Sequence, residues 1–155
     1  MATEILISDA VVAELNDTAR AWVNEFTATR EWAKYYTPED LATLQVKVSA
    51  LRIVEEKRIS RGDTNAMESF EYEAAIDFQM MLPLVIDEAA DRATVDGLTE
   101  IAEQVHDFFR DGHRLATMTS ALVQEALRPD LFDEELLYHH RTWETTIFLT
   151  VFITR

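Results

Sequence analysis

The chain has 155 residues with 29 acidic against 14 basic side chains, a net charge of −15, three glycines, three prolines and no cysteine. This length suits one domain that buries about two thirds of its chain surface, so no disulfide or metal is needed to hold a core. The missing cysteines exclude thiolate zinc sites and cysteine nucleophiles, and so acidic a surface repels phosphate backbones.

The N-terminus lacks a basic stretch and its apolar run is broken by Ser8 and Asp9, so no signal peptide is expected. Ser8 and Asp9 read as helix caps, with Val11, Val12, Leu15 and Ala19 at helical spacing, which predicts a helix over 8–18. The period then changes to two: Trp22, Phe26, Ala28, Arg30 and Trp32 share a face, which predicts a strand over 23–33. Thr37 and Pro38 suit the start of a short helical turn. Leu44, Val46, Val48 and Ala50 alternate again as a second strand. The segment from Arg52 to Glu68, with both charge signs, Gly62, Asp63 and Asn65, reads as a long loop or a β-arm.

From Phe70 to Met80 alternation is clean, with Phe70, Tyr72, Ala74, Ile76, Phe78 and Met80 opposite Glu71, Glu73, Asp77 and Gln79. This is the pattern of a half-buried antiparallel strand, ended by Pro83. Asp87 or Asp91 can cap a long helix whose apolar stripe runs through Val95, Leu98, Ile101, Ala102, Val105, Phe108 and Phe109, with Gly112 placed to end it. Thr117 to Leu127 reads as a strand, Asp133 to His139 as a short capped helix, and Thr142 to Ile153 as a strand apolar on both faces. Such a strand is either central in its sheet or covered by a partner. The expected fold is a single α+β domain spanning 1–155. An antiparallel sheet of four to five strands packs against one long amphipathic helix and a shorter N-terminal one.

Chemistry-bearing motifs are scarce. Dinucleotide, phosphate-loop and nucleophile-elbow patterns are absent from the sequence. Glu135 stands four residues before His139 and could share a metal with it, but one such pair is common on a surface helix end. Arg61-Gly62-Asp63 reads as a turn. No catalytic residue, metal or cofactor is expected. Arg30, on an otherwise apolar strand face, must be paired, stack on a ring or reach a neighbour, unless it sits at the sheet edge and reaches water.

In order along the chain, Phe26-Thr27-Ala28-Thr29-Arg30-Glu31-Trp32, Tyr36-Thr37-Pro38, Leu44 to Val48, Ile59-Ser60-Arg61, Tyr72 to Phe78 with its Ile76-Asp77, and Arg128 to Asp133 form a set. With the helix positions Asp96, Leu98, Ala102 and Phe108 and the closing Trp143 to Arg155, this set resembles the small tail terminator, or head–tail joining, proteins of tailed bacteriophages. A basic pair usual after the Ile-Asp strand is replaced by Met80-Met81. The resemblance implies a structural virion protein without enzymatic activity. Such a subunit joins a ring, generally a hexamer, that caps the tail tube, ends its growth and meets the neck, while DNA passes through the lumen without specific binding. Its partners would be copies of itself, the tube protein and the connector proteins. Its place would be the virion after assembly in the host cytoplasm, with no membrane. Arg30, Arg52, Arg58 and Arg61 are the expected interface residues. Another neck role, as stopper or tail completion protein, and an acidic mimic of DNA that inhibits a DNA-binding protein, are the alternatives.

Overall fold

The computed structural model describes residues 2–32, 36–61 and 65–154, with the side chains of 51–69 and of Thr154 outside the description. Three helices and six strands follow in the order α1 (Thr3–Leu15), β1 (Ala28–Arg30), β2 (Gln45–Arg61), β3 (Asn65–Met81), α2 (Glu88–Arg110), β4 (His113–Arg114), β5 (Ala121–Leu127), α3 (Glu134–His140) and β6 (Thr142–Thr154). A short 3-10 turn at Asp40–Ala42 precedes β2. The strands form one sheet in the order β1-β2-β3-β6-β5-β4. All neighbours are antiparallel except β1, which runs parallel to β2. The fold is therefore α+β with a mixed six-stranded sheet, where four to five antiparallel strands were expected.

The alternation in β3 and β6 decides the layering. Tyr72, Ala74, Ile76 and Phe78 of β3 share one buried cluster with Trp143, Ile147, Leu149, Val151 and Ile153 of β6. The buried side chains of both long helices complete it: Ile7, Val11 and Leu15 of α1, and Leu98, Ala102, Val105 and Phe109 of α2. Helix α1 lies against β1, β2 and β3, and α2 against β4, β5 and β6, so one face of the sheet carries both helices. Strand β6 sits centrally between β3 and β5, which accounts for its apolar character on the helix side. Its other face holds half-buried Phe148 and Phe152.

The helix signals are met by short-range polar contacts. Asp87 Oδ1 accepts from the Ala90 amide and Asp133 Oδ1 from the Leu136 amide, each satisfying an otherwise orphan donor of a first turn. Gly112 follows α2 at φ 84°, a left-handed conformation that suits a residue without Cβ.

Three expectations need correction. The first helix begins at Thr3 and ends at Leu15, so Ser8 and Asp9 lie inside it. The Ser8 hydroxyl donates to the Glu4 carbonyl four residues back, which lets a cap-type residue sit in mid-helix. The strand expected over 23–33 shrinks to Ala28–Arg30. Residues 17–25 turn instead, with Val23 bonding back to Arg20 and Glu25 to Trp22, and the Trp22 indole donating to the Leu15 carbonyl at 2.9 Å. Asn16 then clamps Ala28, donating to its carbonyl at 2.9 Å and accepting from its amide at 2.8 Å. The strand expected over 117–127 begins at Ala121, because 115–121 is a turn closed by Met118 to Leu115 and Ala121 to Met118 bonds.

Of the segment 52–68, read as a loop or an arm, the described residues 52–61 and 65–68 are strand backbone, and 62–64 lie outside the described residues. Strands β2 and β3 stay in register from Gln45 opposite Gln79 out to Arg61 opposite Asn65, with irregularities at 50–52 and 53–55. Strand β6 accompanies β3 only as far as Ser69, opposite Thr154, and β1 accompanies β2 only at 46–48. Beyond those points the hairpin, among the described residues, is a two-stranded ribbon.

Candidate functional site

Arg30 is held within the chain. Its Nε donates to Asp9 Oδ1 of α1 at 2.8 Å, and its guanidinium carbon lies 5.8 Å from the centre of the Trp32 ring. The pairing and the stacking expected of an arginine on that face are both present, on a side chain one-third exposed (34 %). Trp32 is 63 % exposed, so the face leaves the core here. Arg52, Arg58 and Arg61 belong to β2 by backbone, and their side chains lie outside the described residues, as do Gly62 and Asp63 of the Arg-Gly-Asp turn. Nothing described brings Arg30 together with the three arm arginines.

Glu135 and His139 are both exposed on α3. Among the described residues no group of three or more histidine and carboxylate side chains could hold a metal ion. No described helix is long and apolar enough to cross a membrane.

Two buried carboxylates were not singled out by the sequence. Glu14, 3 % exposed, accepts from Arg20 Nη2 at 2.6 Å and from the Ala116 amide at 2.6 Å, and His113 Nε2 lies 3.1 Å from its Oε1. Arg20 also stacks over the Phe108 ring at 4.1 Å. Burial pushes this carboxyl up. The Ala116 amide, His113 and Arg20 together outweigh that and hold it below the ordinary carboxylate range. The position was readable: Glu14 stands three residues after Val11 and seven after Ile7, on the buried stripe of α1.

Asp77 lies on the opposite face of the sheet. It accepts from the Tyr36 hydroxyl at 2.7 Å and the Thr146 hydroxyl at 3.0 Å. Burial, then the neighbouring Asp77 carboxylate, pushes the Tyr36 phenol well above its usual range. The Lys47 ammonium sits over the Tyr36 ring at 4.4 Å. Alternation placed Asp77 on the solvent side; Tyr36 closes over it. Both carboxylates are engaged by partners within the fold.

A cleft of about 610 Å³ lies between the loop after β3, the start of α2 and α3. Ile86, Val95, Leu137 and Tyr138 supply its apolar lining. Its floor is fixed by Arg141, whose Nη2 reaches both oxygens of Asp91 (2.9 and 3.1 Å) and whose Nε donates to the Pro83 carbonyl at 2.7 Å. Beside it Leu84, Val85, Ile86 and Tyr138 are each at least 74 % exposed. Single exposed apolar residues are ordinary, but here three in succession form an exposed apolar patch beside the cleft. This surface escaped the sequence reading, which took Pro83 only as the end of the preceding strand.

No family model and no curated protein matches the chain.

Proposed function

We propose that this chain is a non-enzymatic structural subunit of a homo-oligomeric ring that caps a phage tail tube, ends its growth and joins it to the neck.

 The support is a resemblance that runs in order through most of the sequence, together with a surface suited to assembly rather than turnover. The observation that carries the reading is the β2–β3 hairpin, which runs past both of its neighbours in the sheet and leaves a two-stranded ribbon to be accompanied by something else. Isolated two-stranded ribbons are marginal in water, so a partner completes it. Phe148 and Phe152, half-buried on the helix-free face of the central strand, add apolar surface of the kind subunits cover. The net charge of −15 suits a ring whose lumen passes DNA by like-charge repulsion. In this reading the sheet and its two long helices make up a tail-terminator-like domain, and Arg30 and the arm arginines Arg52, Arg58 and Arg61 lie at or near contacts between subunits.

The test is to add the purified chain to tail-tube protein of the same virion while the tube polymerises. Rings at one tube end, with shorter tubes as the chain is titrated in, are the expected result. Tubes of unchanged length with no density at either end would overturn the proposal. A reconstruction of the ring with a basic rather than an acidic channel would remove the DNA-passage part of it.

A further inference from the structure

We propose that the cleft beside Leu84–Ile86 is the docking site for the β2–β3 arm of a second copy of this chain, so that copies join head to tail. The inference deepens the ring reading above and rests on it.

The cleft is built to take an extended, apolar and basic segment. Its apolar lining is continued outward by Leu84 and Val85, 83 % and 81 % exposed, which no other part of the chain covers among the described residues. Its charged lining is acidic on balance, with Glu88, Asp91 and Asp96 against Arg92 and Arg141. The arm has the complementary composition. Residues 52–68 carry four basic and four acidic side chains, Arg52, Lys57, Arg58 and Arg61 against Glu55, Glu56, Asp63 and Glu68, so this segment is neutral and the other 138 residues carry the whole −15. The stretch from Lys57 to Arg61 holds three cations and no anion, interleaved with Ile59. A neutral segment with such a basic stretch approaches another copy of so acidic a chain with less repulsion than its acidic segments do.

Topology makes the contact intermolecular. Strand β3 begins at the arm tip with Asn65 and ends at Met81, directly before the cleft's Leu82. Seventeen strand residues span about 55 Å at roughly 3.3 Å each. The arm tip and the cleft therefore lie at opposite ends of one extended strand, which keeps them apart within a chain. A donor at one end and an acceptor at the other give a heterologous interface, the class that closes into rings when its rotation permits.

The chain has no cysteine, so introduced ones report single contacts. Full-length Val85→Cys and Met67→Cys, one in the loop and one in the arm, are mixed at high concentration and oxidised, and each is also oxidised alone. The expected product is a hetero-cross-linked dimer in the mixture, with neither variant linking to itself. The double variant should give a ladder of multimers. Arg58→Glu in the arm variant should abolish the hetero-cross-link, and Glu88→Lys with Asp96→Lys in the loop variant should restore it. Loop-to-loop products alone would mean a two-fold dimer, and no product would mean a different occupant; either overturns the proposal. Rings on tubes without the 67–85 cross-link would sink this contact and leave the ring reading standing. The cross-link in a chain that never binds a tube would do the reverse.

Discussion

Replacing Glu14 by glutamine tests whether the buried carboxylate fastens α1 to the far end of the sheet. The side chain keeps its size, and its oxygen can still accept from the Ala116 amide. What is lost is the negative charge facing Arg20 at 2.6 Å and His113 at 3.1 Å, and the new amide NH₂ meets donors instead. Breaking a fully buried ion pair from one side costs 3–5 kcal/mol, but the Arg20 side chain is one-fifth exposed and keeps its stacking on Phe108, so about 2 kcal/mol is the expected loss. For a chain of this size that lowers Tm by about 4–8 °C. Thermal and urea unfolding followed by circular dichroism at pH 7 measure it. The pH dependence adds a second check. The folded pKa of Glu14 lies below its unfolded value. Its contribution is therefore complete above the unfolded pKa of about 4.3 and is lost as pH falls through the folded value. The gap between the parent and Glu14→Gln should close on acidification. A gap under about 0.5 kcal/mol at pH 7, or one that stays constant into acid, would refute the account of Glu14 as a charged tie.

Tyr36→Phe removes the hydroxyl that donates to Asp77 at 2.7 Å and should cost about 1.5–2 kcal/mol in urea unfolding, because the acceptor is charged and buried. In the parent, the Tyr36 phenol should stay protonated past pH of about 10, where a free tyrosine ionises, and the difference between the ultraviolet titrations of the parent and Tyr36→Phe should show that late component. Asn16→Ala cuts both bonds to Ala28; a loss of about 2 kcal/mol is expected, with faster amide exchange along β1. Gly112→Ala should cost about 1 kcal/mol from its φ of 84° alone, since a Cβ there would come no closer than 3.8 Å to its nearest neighbour, the Val123 carbonyl.

Where a pattern is local and one-sided, the sequence was legible. The period of two from Phe70 to Met80 and the stripe from Val95 to Phe109 both reflect elements with one buried face, and Asp87, Asp133 and Gly112 announce helix ends through contacts three or four residues long. Failures began where a distant residue decides. Trp22, Phe26 and Ala28 are buried as their alternation suggested. Yet Trp22 reaches the core from a turn, and it is Asn16, twelve residues before Ala28, that sets where β1 begins. The parallel pairing of β1 with β2 has no sequence pattern of its own. Asp77 looked solvated because Tyr36, 41 residues away, closes over it. The cleft was illegible for a related reason: α3 and α2 meet there from distant parts of the chain, and an apolar run such as 82–86 reads alike whether it enters a core or stays outside one.

The polar ties and the proposed docking surfaces occupy different parts of the molecule, and this makes stability separable from assembly. Glu14 joins α1 to Ala116, 102 residues later, and Asp77 joins Tyr36 to β3 and β6. Both hold the sheet and its covering segments in place. Leu84, Val85 and Ile86, by contrast, are left largely exposed to solvent, and the arm backbone beyond Ser69 pairs only with itself. Core-side substitutions such as Glu14→Gln should therefore lower Tm while leaving the 67–85 cross-link intact below the transition. Val85→Asp, on a side chain 81 % exposed, should leave Tm within about 1–2 °C and weaken association. If Val85→Asp instead lowers stability as much as Glu14→Gln does, the loop belongs to the fold of the single chain, and its exposure cannot be explained by a partner.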